Sequence, residues 1–266
     1  MSAADPRDLL ALAVDAATRA GHMLMSDRPR GSIVSGSKSS PTDIVTVMDT
    51  RAEHLIVELL RAERPDDGFL GEEGGAQLGT SGVRWIVDPI DGTVNYRYRL
   101  PHWSVSVATE VDGVVVAGVV VDPTMGETWT ALRGDGARCN GDLVTCSTET
   151  RLEQALVGTG FGYSAALRAR QADVLRTVLP RVRDIRRVGS CAVDLCWVAA
   201  GRLDAFFERG PNVWDYSAGG LLCEEAGAWI EVRPGKPEPP ALVIAAPSQL
   251  FTPLRALLIE LCADED

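Results

Sequence analysis

Histidine is scarce in this 266-residue chain, with three copies, and the six cysteines at 139, 146, 191, 196, 223 and 262 form no C-x-x-C pair. His22, His54 and His102 show no ligand spacing either, so neither of the usual structural-zinc ligand types is spaced for a site. Several cysteines fall within apolar segments, which reads as buried free thiols kept reduced rather than as a disulfide framework. Long hydrophobic runs are missing too. The longest, residues 114–121, is interrupted by Gly118 and falls far short of the roughly 20 residues that cross a bilayer. Residues 1–25 open with Asp5, Arg7 and Asp8 and read as an amphipathic helix rather than a secretory signal, so the expected location is cytoplasmic. Positive charge is in short supply, with 26 Lys and Arg against 37 Asp and Glu and a net charge of −11. That balance argues against nucleic acid and anionic membrane as general partners, since both reward a basic surface.

What the chain does have is core: 45% of it is hydrophobic, enough for one large domain or two closely joined lobes. Residues 6–27 place Leu9, Leu10, Leu12, Ala13, Ala16, Ala17, Ala20 and Leu24 on a helical stripe. A Ser/Gly-rich stretch to Pro41 reads as a loop or hairpin, and a second helix is expected from Asp43 to about Arg64. Residues 74–82 read as a surface loop, and strands over 102–110, 114–122 and 127–133 as an antiparallel meander. Beyond about 150 strand and helix alternate: strands near 156–159, 184–187, 203–208, 229–232 and 242–246, helices near 165–179, 191–200, 215–226 and at the C-terminal end. The expected fold class is therefore α/β: an α+β lobe over residues 1–146 joined to an α/β lobe over residues 147–266.

One stretch stands apart. Trp85-Ile86-Val87 is an apolar strand that ends in Asp88-Pro89-Ile90-Asp91-Gly92-Thr93. Pro89 has no N–H to donate, so the strand is expected to turn there. A turn that closes over Asp88, the Ile90 carbonyl and Asp91 aims three hard oxygens at one point, which suits Mg²⁺. Thr93 follows Gly92 where a helix can begin, leaving free N–H groups to face an anion. Asp-Pro or Asp-Gly alone fits an Asx-turn and an N-cap. The whole nonapeptide favours a cation, because two acids beside an apolar strand end repel each other unless a positive charge sits between them.

Asp88-Pro89-Ile90-Asp91-Gly92-Thr93 resembles the first signature of the inositol monophosphatase family of Mg²⁺-dependent, lithium-sensitive phosphatases. Trp214-Asp215-Tyr216-Ser217-Ala218-Gly219-Gly220 resembles its second, and Gly71-Glu72-Glu73 precedes the first at the family's spacing. The pattern is similar to the bacterial, actinobacterial type and runs through nearly the whole chain. The resemblance implies a layered α/β/α/β/α sandwich of the inositol monophosphatase and fructose-1,6-bisphosphatase type. It implies Glu72, Asp88, the Ile90 carbonyl, Asp91 and Asp215 as ligands for two or three Mg²⁺ ions. Thr93 and Glu72 would orient the attacking water, with Asp49 holding the Thr93 hydroxyl and Lys38 lying near metal and phosphate. Asp91, Gly92, Thr93, Gly189, Ser190, Cys191, Glu208 and Asp215 would contact the substrate. Glu73 is expected to face away from Glu72, as strand neighbours do. Asp215 also suits an ordinary N-cap, and Glu208 a surface acid at a strand end.

The expected reaction is hydrolysis of inositol-1-phosphate by metal-activated water, with Li⁺ as inhibitor, a small phosphorylated polyol as substrate and a homodimer as the assembly. Histidinol phosphate, fructose-1,6-bisphosphate, NADP and 3′-phosphoadenosine phosphate are rival substrates with the same chemistry. Arg181, Arg183, Arg186 and Arg187 form the basic cluster of an acidic chain. They fit a solvated or locally paired surface, or the docking face of a regulatory module that binds protein or RNA. Gly158-Thr159-Gly160-Phe161-Gly162 lacks the Lys-Ser/Thr of a nucleotide P-loop.

Overall fold

The computed structural model describes residues 5–29, 34–37, 44–235 and 241–265; Lys38 and Asp43 lie outside the described residues. Helix α1 (Pro6–Ser26) starts where Asp5 accepts the Arg7 N–H at 2.9 Å and Pro6 takes a position that needs no donor. Strands β1 (Val34–Ser37) and β2 (Ile44–Thr46) pair antiparallel and lead to α2 (Val47–Glu63). This helix begins later than expected, because residues 44–46 pair as strand and Thr46 accepts the Met48 N–H as its cap. Strands β3 (Gly68–Gly71), β4 (Gly75–Gln77) and β5 (Val83–Asp91) precede the short α3 (Thr93–Tyr98). The loop expected over 74–82 thus contains a strand. The meander continues past three strands to five: β6 (Ser104–Val111), β7 (Val114–Asp122), β8 (Glu127–Leu132), β9 (Gly136–Cys139) and β10 (Asp142–Val144).

The second half alternates as expected. It runs through β11 (Leu156–Thr159), α4 (Ala165–Val178), β12 (Asp184–Arg186), α5 (Cys191–Ala199) and β13 (Ala205–Arg209). It closes with α6 (Val213–Glu225), β14 (Ala228–Arg233), β15 (Leu242–Pro247) and α7 (Ser248–Glu260). The first sheet has the order β10-β9-β8-β7-β6-β5-β3-β4 and is antiparallel except for β3 beside β5. The second, β12-β11-β13-β15-β14, joins parallel β12, β11 and β13 to antiparallel β15 and β14.

Strand alternation explains the layering. Trp85 and Val87 of β5 face a core shared with α1 and α2, while Ile86 between them faces α5 and α6. In β13, Phe206 faces α5 and α6, whereas Ala205 and Phe207 face α7. The order is therefore helix pair, eight-stranded sheet, helix pair, five-stranded sheet, outer helices. Strands buried on both faces read as the near-continuous apolar runs seen in the sequence.

Strand β5 does not stop at Pro89. It runs on to Asp91 with a register shift: Asp88 opposes Ser106 and Asp91 opposes Ser104. Three positions on one strand span two on its neighbour, so the missing proline N–H is absorbed by a bulge rather than by a turn. All six cysteines, which lie among the described residues, are unpaired. Among the described residues no helix is long and apolar enough to cross a membrane.

Candidate active site

The bulge delivers Asp88, the Ile90 carbonyl and Asp91 to one end of β5. Asp88 Oδ1 accepts the Ile90 N–H at 3.0 Å, so the Asx-turn and the carboxylate cluster coexist. Gly92, at φ +92°, then swings the chain into α3, a conformation that glycine adopts without strain. Thr93 follows at the first helical position, its hydroxyl 3.0 Å from Asp49 Oδ1 and 2.9 Å from the Ile90 carbonyl. Asp49 is 0% exposed and sits at the start of α2, its Oδ2 accepting the Thr46 N–H at 2.8 Å.

Asp215 comes from the other sheet's side. The N-cap position that also suited it is taken by Asn212, and Asp215 stands three residues on in α6, its Oδ2 accepting the Asn212 N–H at 2.5 Å. This capping box aims the acid across the cleft. Carboxylate oxygens of Asp88, Asp91 and Asp215 all lie within 4.8 Å of one another, as do those of Asp49, Glu72 and Glu73. Glu73 does not face away as expected, because residues 72–74 form a turn after β3 and strand alternation does not apply there.

A cleft of about 470 Å³ is lined by Glu72, Asp88, Ile90, Asp91, Gly92, Thr93, Gly189, Cys191, Glu208 and Asp215. Each of these is a residue the sequence motifs single out. Asp49 stands behind Thr93. Ser190 is 1% exposed and stands behind Asp91, donating its hydroxyl to Asp91 Oδ2 at 2.6 Å. The Ala192 N–H reaches the same oxygen at 2.6 Å, which seats the first turn of α5 on Asp91.

The cleft also has walls that sequence reasoning passed over: Phe161, Tyr163, Trp214 and Arg187. A signal existed in the Gly158–Gly162 run. A Cβ at Gly160 would lie 2.0 Å from Glu208 Oε2, so only glycine leaves room for that carboxyl to reach the cleft. The arginine cluster divides. Arg186 pairs with Asp184 at 2.6 Å and Arg183 donates to the Gln154 carbonyl at 2.7 Å, while Arg187 turns to the cleft.

Loss of water contact and mutual repulsion dominate the electrostatics. Burial pushes Asp88 well above the usual carboxylate range, with Glu72, Asp215 and Asp91 adding to the rise. Asp215 is raised by the same causes, burial first and then Asp91 and Glu72. Asp91 rises only to about 6, because the bonds from Ser190 and Ala192 and the nearby Arg187 offset its burial. Glu208 is pushed up to about 8 by burial. Cys191 is raised well above the usual thiol range by burial and its acidic neighbours, which holds the thiol protonated. The donor set is then all oxygen, crowded and short of positive charge, which fits a hard divalent cation and not a soft one.

An α/β fold in layers, with carboxylates gathered from both sheets around one cleft, defines the class: proteins built to hold metal ions between two sheets. The comparisons narrow it. The profile of the inositol monophosphatase family matches residues 5–260. Inositol-1-monophosphatase SuhB of Mycobacterium tuberculosis is 45% identical over 219 residues, covering 79% of this chain and 76% of the relative. The Salmonella typhimurium protein named Nus factor SuhB is 39% identical over 224 residues, 84% of each chain. The crystal structure of extragenic suppressor protein suhB from Bartonella henselae superposes with a TM-score of 0.87 at 36% identity, covering 94% of this chain and 98% of that one. The chain belongs to the inositol monophosphatase family, whose fold it shares.

Proposed function

We propose that the chain is a Mg²⁺-dependent phosphomonoesterase that hydrolyses inositol-1-phosphate to inositol and phosphate. The observation that carries this reading is the convergence of Asp88, Asp91 and Asp215 within 4.8 Å at the floor of the cleft. The name of the 45% identical relative supports the choice of substrate. Glu72, Asp88, the Ile90 carbonyl, Asp91 and Asp215 hold two or three ions. Such ions neutralise phosphoryl charge and lower the pKa of bound water.

This chain's own residues do the rest. The Thr93 hydroxyl has one proton and two acceptors in reach, of which the Asp49 carboxylate is the stronger. Donation to Asp49 leaves a Thr93 lone pair to accept from the attacking water, which Glu72 orients from the other side. Glu208, facing the cleft from β13, binds leaving-group hydroxyls; with its pKa near 8 it both donates and accepts at neutral pH. Gly189 and Cys191 line the same end. Li⁺ competes for an ion position, the assembly is a homodimer, and the N-terminal 146 residues act with the remainder as one catalytic unit.

A phosphate-release panel over inositol, histidinol, fructose and adenosine phosphates, with Mg²⁺ and with or without Li⁺, tests the reading. Inositol-1-phosphate ranking first and inhibited by Li⁺ supports it. Another ester ranking first overturns the substrate, and no release at all overturns the activity. The Nus factor relative motivates a second reading, a regulatory module docking through residues 176–187. Arg186→Glu discriminates, since Arg186 lies outside the cleft lining: lost partner binding with hydrolysis intact supports the module, and no change in either opposes it.

A further inference from the structure

Asn95 is 6% exposed and has no part in the chemistry above. It sits on α3, two residues after Thr93, and its Nδ2 donates to the His102 carbonyl at 2.8 Å and to the Val188 carbonyl at 3.0 Å. A side-chain amide carries two N–H donors, so both are used. The first bond stays local. The second crosses to the segment that enters α5.

That segment is packed backbone against backbone on the metal turn. Gly189 has φ +102°, and a Cβ there would lie 3.0 Å from Asn95 Nδ2 and 2.5 Å from Arg187 Nη1. A Cβ at Gly92 would lie 3.1 Å from the Gly189 carbonyl. One and three residues further on, the Ser190 hydroxyl and the Ala192 N–H both donate to Asp91 Oδ2, so Oδ1 is the oxygen a cation would take. Asn95 thus adds, beside Ser190, a second side-chain tie between the turn carrying Asp91 and the loop that fixes how Asp91 points.

We propose that Asn95 is a positioning residue for Asp91: by holding the Val188 carbonyl it sets the α5 entry in place, and through Ser190 and Ala192 it selects the carboxylate oxygen presented to the metal. This rests on the reading of Asp91 as a metal ligand. A residue that merely stabilised α3 would need the His102 bond alone.

The test is calorimetric titration of Mn²⁺ into the ion-free full-length protein, alongside thermal melting. The variants are Asn95→Leu, Ser190→Ala, their double mutant and Asp91→Asn. Groups that orient metal ligands typically contribute 10- to 100-fold in affinity, so Asn95→Leu is expected to weaken Mn²⁺ binding about 10-fold. Because Asn95 acts through Ser190 and Ala192 together, the loss of affinity in the double mutant is expected to fall short of the product of the two single losses. Losses that multiply in the double mutant, or unchanged affinity with a lowered Tm, overturn the proposal. Should Asn95→Leu fail to fold, Asn95→Ala carries the same comparison. Asp91→Asn separates the two levels of argument. If it loses affinity while the Asn95 variants keep theirs, only the positioning role falls; if it binds as wild type does, the metal reading falls as well.

Discussion

Glu208→Gln keeps the shape of a side chain in the cleft and deletes its titration. Burial raises the Glu208 pKa from its ordinary 4.5 to about 8, Arg187 opposing the rise and Asp91 adding to it. The folded chain therefore keeps this proton over a range in which the unfolded chain has lost it. The resulting stabilisation is complete below pH 4.5, shrinks as pH rises and is gone above pH 8. At about 1.4 kcal/mol per pH unit the whole effect is roughly 5 kcal/mol. That is an upper figure, because the side chain is partly open to water in the cleft. Urea unfolding in EDTA, from pH 5 to pH 9, reads it directly, since metal linkage is removed and the other acids titrate in both proteins. The stability of Glu208→Gln relative to wild type is expected to grow across this range by about 3 to 5 kcal/mol. Parallel curves for the two proteins would refute the buried, proton-holding Glu208. At pH 7, with Mg²⁺ restored, the KM of Glu208→Gln is expected to stay within a few-fold of wild type, because an amide also donates and accepts.

Asp88→Asn and Asp215→Asn are each expected to lower phosphate release by orders of magnitude, since a lost ligand removes charge stabilisation; unchanged turnover with Mg²⁺ present contradicts the assignment. Thr93→Ala is expected to lower kcat with little change in metal affinity, and a loss confined to metal affinity would rule out water orientation. Because Asp88, Asp91 and Asp215 all have raised pKa values, a divalent ion must displace protons. Mg²⁺ affinity should accordingly rise from pH 6 to pH 8. Titration heats should depend on buffer ionisation enthalpy, and heats independent of the buffer would show that no proton leaves.

The features legible in the sequence were those fixed by local chemistry. Trp85-Ile86-Val87 reads as an apolar strand, and the acids after it are among those the fold gathers into a cluster. Features set by distant partners were hidden. Pro89 looked like a stop, yet Ser104 and Ser106 on β6 let the strand continue through a bulge. Ser190 looked like a substrate contact, but its hydroxyl is engaged by Asp91, 99 residues earlier in the chain. Arg187 could not be told from Arg186 by composition; only the fold turns one to the cleft and leaves the other beside Asp184.

One local rule reaches across most of these residues. Four of the acids around the cleft have one oxygen tied to a backbone N–H: Asp49 to Thr46, Asp88 to Ile90, Asp91 to Ala192 and Asp215 to Asn212. For three of them the donor belongs to the start of a helix, α2, α5 or α6. Helix N-termini carry partial positive charge and unsatisfied donors, so they offset part of the repulsion that crowding creates. The tie also removes rotational freedom, leaving each carboxylate one oxygen in a fixed direction. A folded chain with its acids held this way has met the entropic cost of ordering them before any cation arrives. The two capping boxes, Thr46 to Asp49 and Asn212 to Asp215, are therefore part of the site as much as of the helices.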